Sequence, residues 1–195
     1  MLISHDHIRQ FFKTFQRQEC NSEDLCSAGV LVLLFEKNGE LHVVLTQRTN
    51  KVEHHKGQIS FPGGVKNEQD TTIIETALRE TEEEIGLPRN TVTVLGMLND
   101  FQTPSGFRIT PVVAFFFSVP SFSINSAEVF QIFDVPLSFF LDIRNERVEQ
   151  HKRFGKMINI YFYHYGQYEI WGATAAILRS FLHDLMMWLE NKKTL

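Results

Sequence analysis

The chain has 195 residues, 43% of them hydrophobic and 22% charged, with a formal net charge of −4 at pH 7. That length supports one well-cored domain over residues 1–195, and the negative balance leaves no basic field for gathering nucleic acid. Val112 to Phe117 is too short an apolar run to span a bilayer, and Cys20 and Cys26 form no C-x-x-C or second pair, which argues against a zinc site or disulfide framework. Met1 to His7 lacks a basic region followed by an apolar core, so no signal peptide is expected and the expected location is cytoplasmic.

Ile8, Phe11, Phe12 and Phe15 recur at helical spacing and predict an amphipathic N-terminal helix over about 4–17. Cys20 to Ala28 is a polar connector. Gly29 to Phe35 and Leu41 to Gln47 are aliphatic strand runs, joined through Lys37-Asn38-Gly39-Glu40, whose Asn-Gly marks a hairpin. Ile59 to Phe61 is a short strand leading into the Gly63-Gly64 turn. From Thr71 to Leu87, Ile74, Ala77, Leu78, Thr81 and Ile85 form one apolar helix face. Thr72 with Glu75 fits a capping box, and Gly86 suits a left-handed stop.

Thr91 to Leu98 and Ile109 to Val119 predict strands, with Phe115-Phe116-Phe117, Trp171 and Trp188 assigned to the core. Val135 to Leu141 and Ala173 to Leu189 have helical spacing, the latter giving a C-terminal helix over about 173–190. Ile158 to Tyr163 and Tyr168 to Trp171 predict a closing pair of strands, and Arg144 to Lys156 a solvated basic loop. Strands with helices before, among and after them imply an α/β sandwich with its core over about 29–182.

The chemistry concentrates on the helix after the glycine turn. Glu80, Glu83 and Glu84 lie at i, i+3 and i+4, so their carboxylates share one side, and Glu82 brings a fourth glutamate into five residues. Arg79 can offset part of the repulsion by pairing with Glu75 or Glu83. A hard divalent cation, Mg²⁺ or Mn²⁺, is the stronger compensator because it takes several oxygen ligands at once.

Gly64, five residues, Asp70, then Arg79-Glu80-Thr81-Glu82-Glu83-Glu84-Ile85-Gly86-Leu87 resembles the Nudix box, whose R-E-x-x-E-E-x-G core is complete here. Asp70 stands where the pattern has Glu, the spacer to Arg79 is one residue longer, and Thr81 replaces an aliphatic residue. Leu45-Thr46-Gln47-Arg48-Thr49, His55-Lys56-Gly57-Gln58, Phe61-Pro62-Gly63-Gly64, Thr103 to Val113, Ala127-Glu128-Val129-Phe130 and Tyr168 to Ala175 are similar to the coenzyme A pyrophosphatase branch of that family. Glu53 stands where that branch usually has Arg, and Val65 where Lys or Arg is common.

The resemblance implies an α/β/α sandwich with a mixed central sheet, and hydrolysis of coenzyme A to 3′,5′-ADP and 4′-phosphopantetheine. Glu80, Glu84 and Glu83 are the expected metal ligands, joined by a Gly63 or Gly64 carbonyl. Glu83, Glu84 or Glu128 is the expected general base, Arg79 an orienting residue, and Glu68 and Asp70 parts of the loop and helix start. Arg48 and Arg108, with His55, Lys56 and Gln58, are the candidates for holding substrate phosphates. A small molecule is the expected partner, with neither nucleic acid nor membrane. The alternatives are hydrolysis of ADP-ribose or another nucleoside diphosphate conjugate, a catalytically silent nucleotide-binding module, and a scaffold using the acidic helix as a surface.

Overall fold

Strands buried on both faces lose polar alternation, and the runs around Leu31 and Val112 owe their continuous hydrophobicity to that position. The computed structural model describes residues 2–20, 22, 24–49, 57–153 and 156–193. In chain order come α1 (His5–Phe12), β1 (Cys26–Lys37), β2 (Glu40–Arg48), β3 (Ile59–Ser60), β4 (Gly63–Val65) and α2 (Ile73–Ile85). They are followed by β5 (Thr93–Met97), β6 (Phe101–Gln102), β7 (Phe107–Phe116), β8 (Val129–Pro136) and α3 (Leu137–Leu141). The chain closes with β9 (Glu146–Arg153), β10 (Lys156–Tyr165), β11 (Tyr168–Trp171) and α4 (Gly172–Lys193).

The larger sheet has the order β3-β2-β1-β7-β5, with β4 on β1, β6 on β7 and β8 on β2. Its β1–β7 pair is parallel and the other pairs antiparallel, so the sheet is mixed as expected. Leu31, Leu33, Phe35, Val112 and Ala114 cluster with Ala77 and Ile85 of α2. Val32, Leu34, Val113 and Phe115 cluster on the other side with Ile8 and Phe11 of α1 and Leu178 and Phe181 of α4. With α2 on one side of the sheet and α1, α3 and α4 on the other, the layers make the α/β/α sandwich. A second sheet, β11-β10-β9, is entirely antiparallel. Glu146 ties it to α4, accepting from the Tyr163 hydroxyl at 2.9 Å and Arg179 Nε at 2.8 Å.

Several elements depart from the sequence expectation. α1 ends at Phe12, not near 17, because the following chain bonds to the segment after β5. Arg17 reaches Asp100 at 2.7 Å, and the Gln18 N–H donates to Asn99 Oδ1 at 2.8 Å. The Gly63-Gly64 turn is a strand, held by pairing with Val30 and Gly29, and β1 begins at Cys26 through its ladder with β7. Val135 and Pro136 end β8, a strand whose Ile132 and Phe133 pack into opposite layers and so show no polar face. The basic loop is largely β9, paired residue by residue with β10. In the capping box, Thr72 Oγ1 accepts from Glu75 N–H at 3.2 Å, but the Glu75 carboxylate turns to Thr71. Phe117 and Trp171 are exposed and not core; Trp188 does pack against the core.

Three backbones meet beneath the acidic helix. A Cβ on Gly29 would lie 2.6 Å from the Ile73 carbonyl, and one on Gly63 2.4 Å from the Gly29 carbonyl. Only residues without side chains let α2, β1 and β4 approach so closely. The approach sets the carboxylates of α2 over β4.

Candidate active site

Glu84 lies in the last turn of α2 and is 3% exposed. Its Oε2 accepts the Gly63 N–H at 3.1 Å, and its Oε1 is 3.5 Å from Arg48 Nη1. Burial pushes its pKa up to about 7; the Gly63 N–H and Arg48 oppose the rise, and the negative charges of Glu128 and Glu80 add to it. Glu80, one turn earlier, lies over Gly64 so closely that a Cβ there would be 2.4 Å from its carboxyl carbon. Burial raises its pKa too, Arg79 lowers it, and Glu83 and Glu128 raise it further.

Arg79 is the organiser of this helix face. Its Nε and Nη2 each donate to Asp70 at 2.9 Å, Nη2 reaches the Val65 carbonyl at 3.3 Å, and Nη1 lies 2.8 Å from Glu80 and 3.0 Å from Glu83. Asp70 is buried and also accepts from Asn67 N–H and the Thr76 hydroxyl, both at 3.0 Å. The Arg79 hydrogen bonds hold the Asp70 carboxyl far below the ordinary carboxylate range despite its burial. With its fork anchored there, Arg79 holds the Glu80 and Glu83 carboxylates by ion pairs. Its pairing with Asp70, nine residues away, was not foreseen. The signal was available, since an acid at that position belongs to the motif.

Glu128 comes to the cluster from outside the helix. The loop before β8 caps the helix end, with Ser123 N–H donating to the Ile85 carbonyl at 2.9 Å and Asn125 N–H to that of Glu84 at 3.0 Å. From there Glu128 N–H bonds back to Asn125, and the Glu128 carboxylate accepts from Asn125 Nδ2 at 3.3 Å. Glu128 is half-buried in a turn leading to β8, not at a helix start. Asn125, placed three residues before it, is a positioning residue that sequence inspection passed over.

Of the predicted phosphate-binding set, Arg48 reaches the cluster, and its Nε is buried without a hydrogen-bond partner among the described residues. The Gln58 carbonyl accepts the Arg48 N–H at 3.0 Å, joining β3's entrance to the end of β2. Arg108 has its guanidinium on the Cys20 carbonyl at 2.9 Å and Ser27 Oγ at 2.6 Å, and among the described residues it makes no ion pair with a glutamate. His55, Lys56 and Glu53 lie outside the described residues. Val65, at the end of β4, is 45% exposed.

These residues fit a hard divalent cation. The buried Glu84 and half-buried Glu80, both with raised pKa values, a third acid on the same helix face and a bare glycine backbone make an all-oxygen donor set. Among the described residues no three acidic, His or Cys side chains already converge as they would around an ion. Arginines hold the carboxylates instead: Arg48 on Glu84 and Arg79 on Glu80 and Glu83.

The NUDIX domain profile matches residues 27–139, from β1 into α3, and includes Asp70, Glu80, Glu83, Glu84 and Glu128. The chain belongs to the Nudix family. The uncharacterized Nudix hydrolase NudL of Photorhabdus laumondii is 39% identical over 145 residues, covering 74% of this chain and 78% of its own. The uncharacterized NudL of Yersinia enterocolitica is 36% identical over 176 residues, covering 88% and 90%. The fold is that of a Nudix hydrolase from M. smegmatis, RenU, with a TM-score of 0.51 at 23% identity over 60% of this chain and 74% of that one. The Nudix domain makes this chain a pyrophosphohydrolase, and such enzymes generally require a divalent cation. Among the described residues no helix is long and apolar enough to cross a membrane.

Proposed function

We propose that this Nudix enzyme hydrolyses the pyrophosphate bond of coenzyme A or its derivatives, giving 3′,5′-ADP and 4′-phosphopantetheine. The observation that carries the reading is the placement of Arg48, from the branch-like Leu45–Thr49 segment, at the acidic cluster. Its guanidinium lies 3.5 Å from Glu84, while its backbone N–H donates to the carbonyl of Gln58 in the segment that follows.

Glu80 and Glu84 would hold Mg²⁺ or Mn²⁺, with Glu83 and a Gly63 or Gly64 carbonyl completing the protein's share. When bound, the ion neutralises phosphate oxygens and makes water more acidic. Arg79, fixed on Asp70, keeps Glu80 and Glu83 facing that position. Arg48 supplies a guanidinium, with one N–H still unpaired, to a phosphate beside Glu84. Glu128, whose carboxylate accepts from Asn125 Nδ2, takes the proton of the attacking water. The water oxygen bonds to phosphorus as the bridging P–O bond breaks, its electron pair leaving on the departing phosphate.

The test is turnover of coenzyme A, ADP-ribose and other nucleoside diphosphate conjugates with Mg²⁺ or Mn²⁺, products resolved by mass, beside Glu84→Gln. Coenzyme A is expected to be cleaved preferentially to 3′,5′-ADP, and Glu84→Gln to lose on the order of 10³-fold in rate while remaining folded. Preference for ADP-ribose would overturn the coenzyme A reading. That second reading draws support from Val65, an exposed apolar residue where the branch commonly carries positive charge. An active Glu84→Gln would overturn the ligand assignment.

A further inference from the structure

Trp171 occupies an odd place for a tryptophan. It is 38% exposed on β11, the edge strand of the small sheet and outside the matched Nudix segment. Directly across the ladder stands Phe162, its ring parallel to the indole within 10° at 5.9 Å between centroids. Across from Phe162 on the other side stands Arg147, whose guanidinium lies 4.3 Å from the Phe162 ring centroid. The three side chains form one row across the sheet, Arg147, Phe162, Trp171. The indole ends the row, and among the described residues no second ring packs on it.

The open end of the row lies on the side of the small sheet that abuts the larger one. Ile170 and Tyr163 turn into the same core cluster as Ile59, so alternation puts Trp171 and Phe162 on the opposite face. On the larger sheet, the face opposite Ile59 carries Ser60, which bonds with Thr46, and further along β2 Arg48 beside Glu84. β11 abuts β3, with the Thr174 hydroxyl donating to the Ile59 carbonyl at 3.1 Å, and β3 pairs with β2 at Thr46 and Gln47. Beyond the open end of the row come β3 and then β2, the strand that carries Arg48.

We propose that Trp171 is the stacking platform for the purine base of the substrate, a subsite resting on the reading that a nucleoside diphosphate is cleaved at the acidic cluster. Phe162 and Arg147 hold the indole upright from behind, leaving its outer face to the base. Base–aromatic stacking is sequence-tolerant but strongest for the larger purine, and an exposed indole otherwise gains nothing from water.

Binding of adenosine 5′-diphosphate in Mg²⁺, by calorimetry and by quenching of tryptophan fluorescence, tests this directly, with turnover of coenzyme A and ADP-ribose measured in parallel. Trp171→Ala is expected to weaken ADP about 5- to 150-fold, the range of one lost base–aromatic stack, and to raise KM with little change in kcat. Trp171→Phe keeps a platform and is expected to stay within about threefold. Trp188→Phe should leave the quench intact, since the responding indole is Trp171. Equal ADP affinity in wild type and Trp171→Ala, or absence of quenching on binding, overturns the subsite and leaves the hydrolase reading standing. ADP bound through Trp171 with no conjugate turned over supports the subsite and overturns that reading.

Discussion

Glu84→Gln removes a carboxyl that the metal-free fold keeps in an unfavourable ionisation state, so the variant should be the more stable protein wherever Glu84 would be charged. Burial takes the Glu84 pKa from an ordinary 4.5 to about 7. The folded state therefore binds the proton more tightly than the unfolded chain does. Stability from this group is complete below about 4.5 and is lost as pH rises through about 7. At about 1.4 kcal/mol per pH unit, the full loss is about 3 kcal/mol. Gln cannot ionise, and its amide oxygen can still accept the Gly63 N–H, so the variant escapes that loss. In chelator at pH 8, urea or thermal denaturation should find Glu84→Gln more stable by about 3 kcal/mol, or about 6–12 °C in Tm at this chain length. At pH 4 the two proteins should coincide. Adding Mg²⁺ should raise the wild type more than the variant, because the cation supplies the charge that Glu84 lacks. A variant that is equally or less stable at pH 8 in chelator, or a gap unchanged at pH 4, would refute the reasoning.

Gly64→Ala puts a methyl 2.4 Å from the Glu80 carboxyl, a flexible side-chain end, so the fold should survive while the carboxylate is displaced. Loss of about 100-fold in rate, with reduced stabilisation by Mg²⁺, is the expected result; wild-type kinetics would remove Glu80 from the site. Asp70→Asn leaves the Arg79 fork without its bidentate partner and should cost about 3 kcal/mol at neutral pH, measured by urea denaturation. Because the Asp70 pKa is depressed, its contribution is present above the unfolded value of about 3.8 and fades as pH falls further, so wild type and variant should converge in strong acid.

The sequence by itself determined the helix, its ends and the side its carboxylates share. Periodicity placed Ala77 and Ile85 on the buried face, Thr72 and Gly86 marked the limits within a residue or two, and i, i+3, i+4 spacing put Glu80, Glu83 and Glu84 on one side. These are local properties of a few turns, and local physics suffices for them. The β1–β2 hairpin was legible for the same reason, with Asn38 at φ 54 and Gly39 at φ 78 supplying its turn.

What the sequence left open depends on partners distant along the chain. β8 and β9 were missed because a strand packed on both faces, or lined with charge on a hairpin, has no clean alternation of its own; its neighbour defines it. The glycine turn became a strand once β1 offered it hydrogen bonds. Arg48 could be named from its motif, but its placement against Glu84 arises from the packing of α2 on the sheet that holds β2. The raised pKa of Glu84 and the exposure of Trp171 exist only after burial is decided. Burial is a property of the whole packing, not of any one stretch of residues.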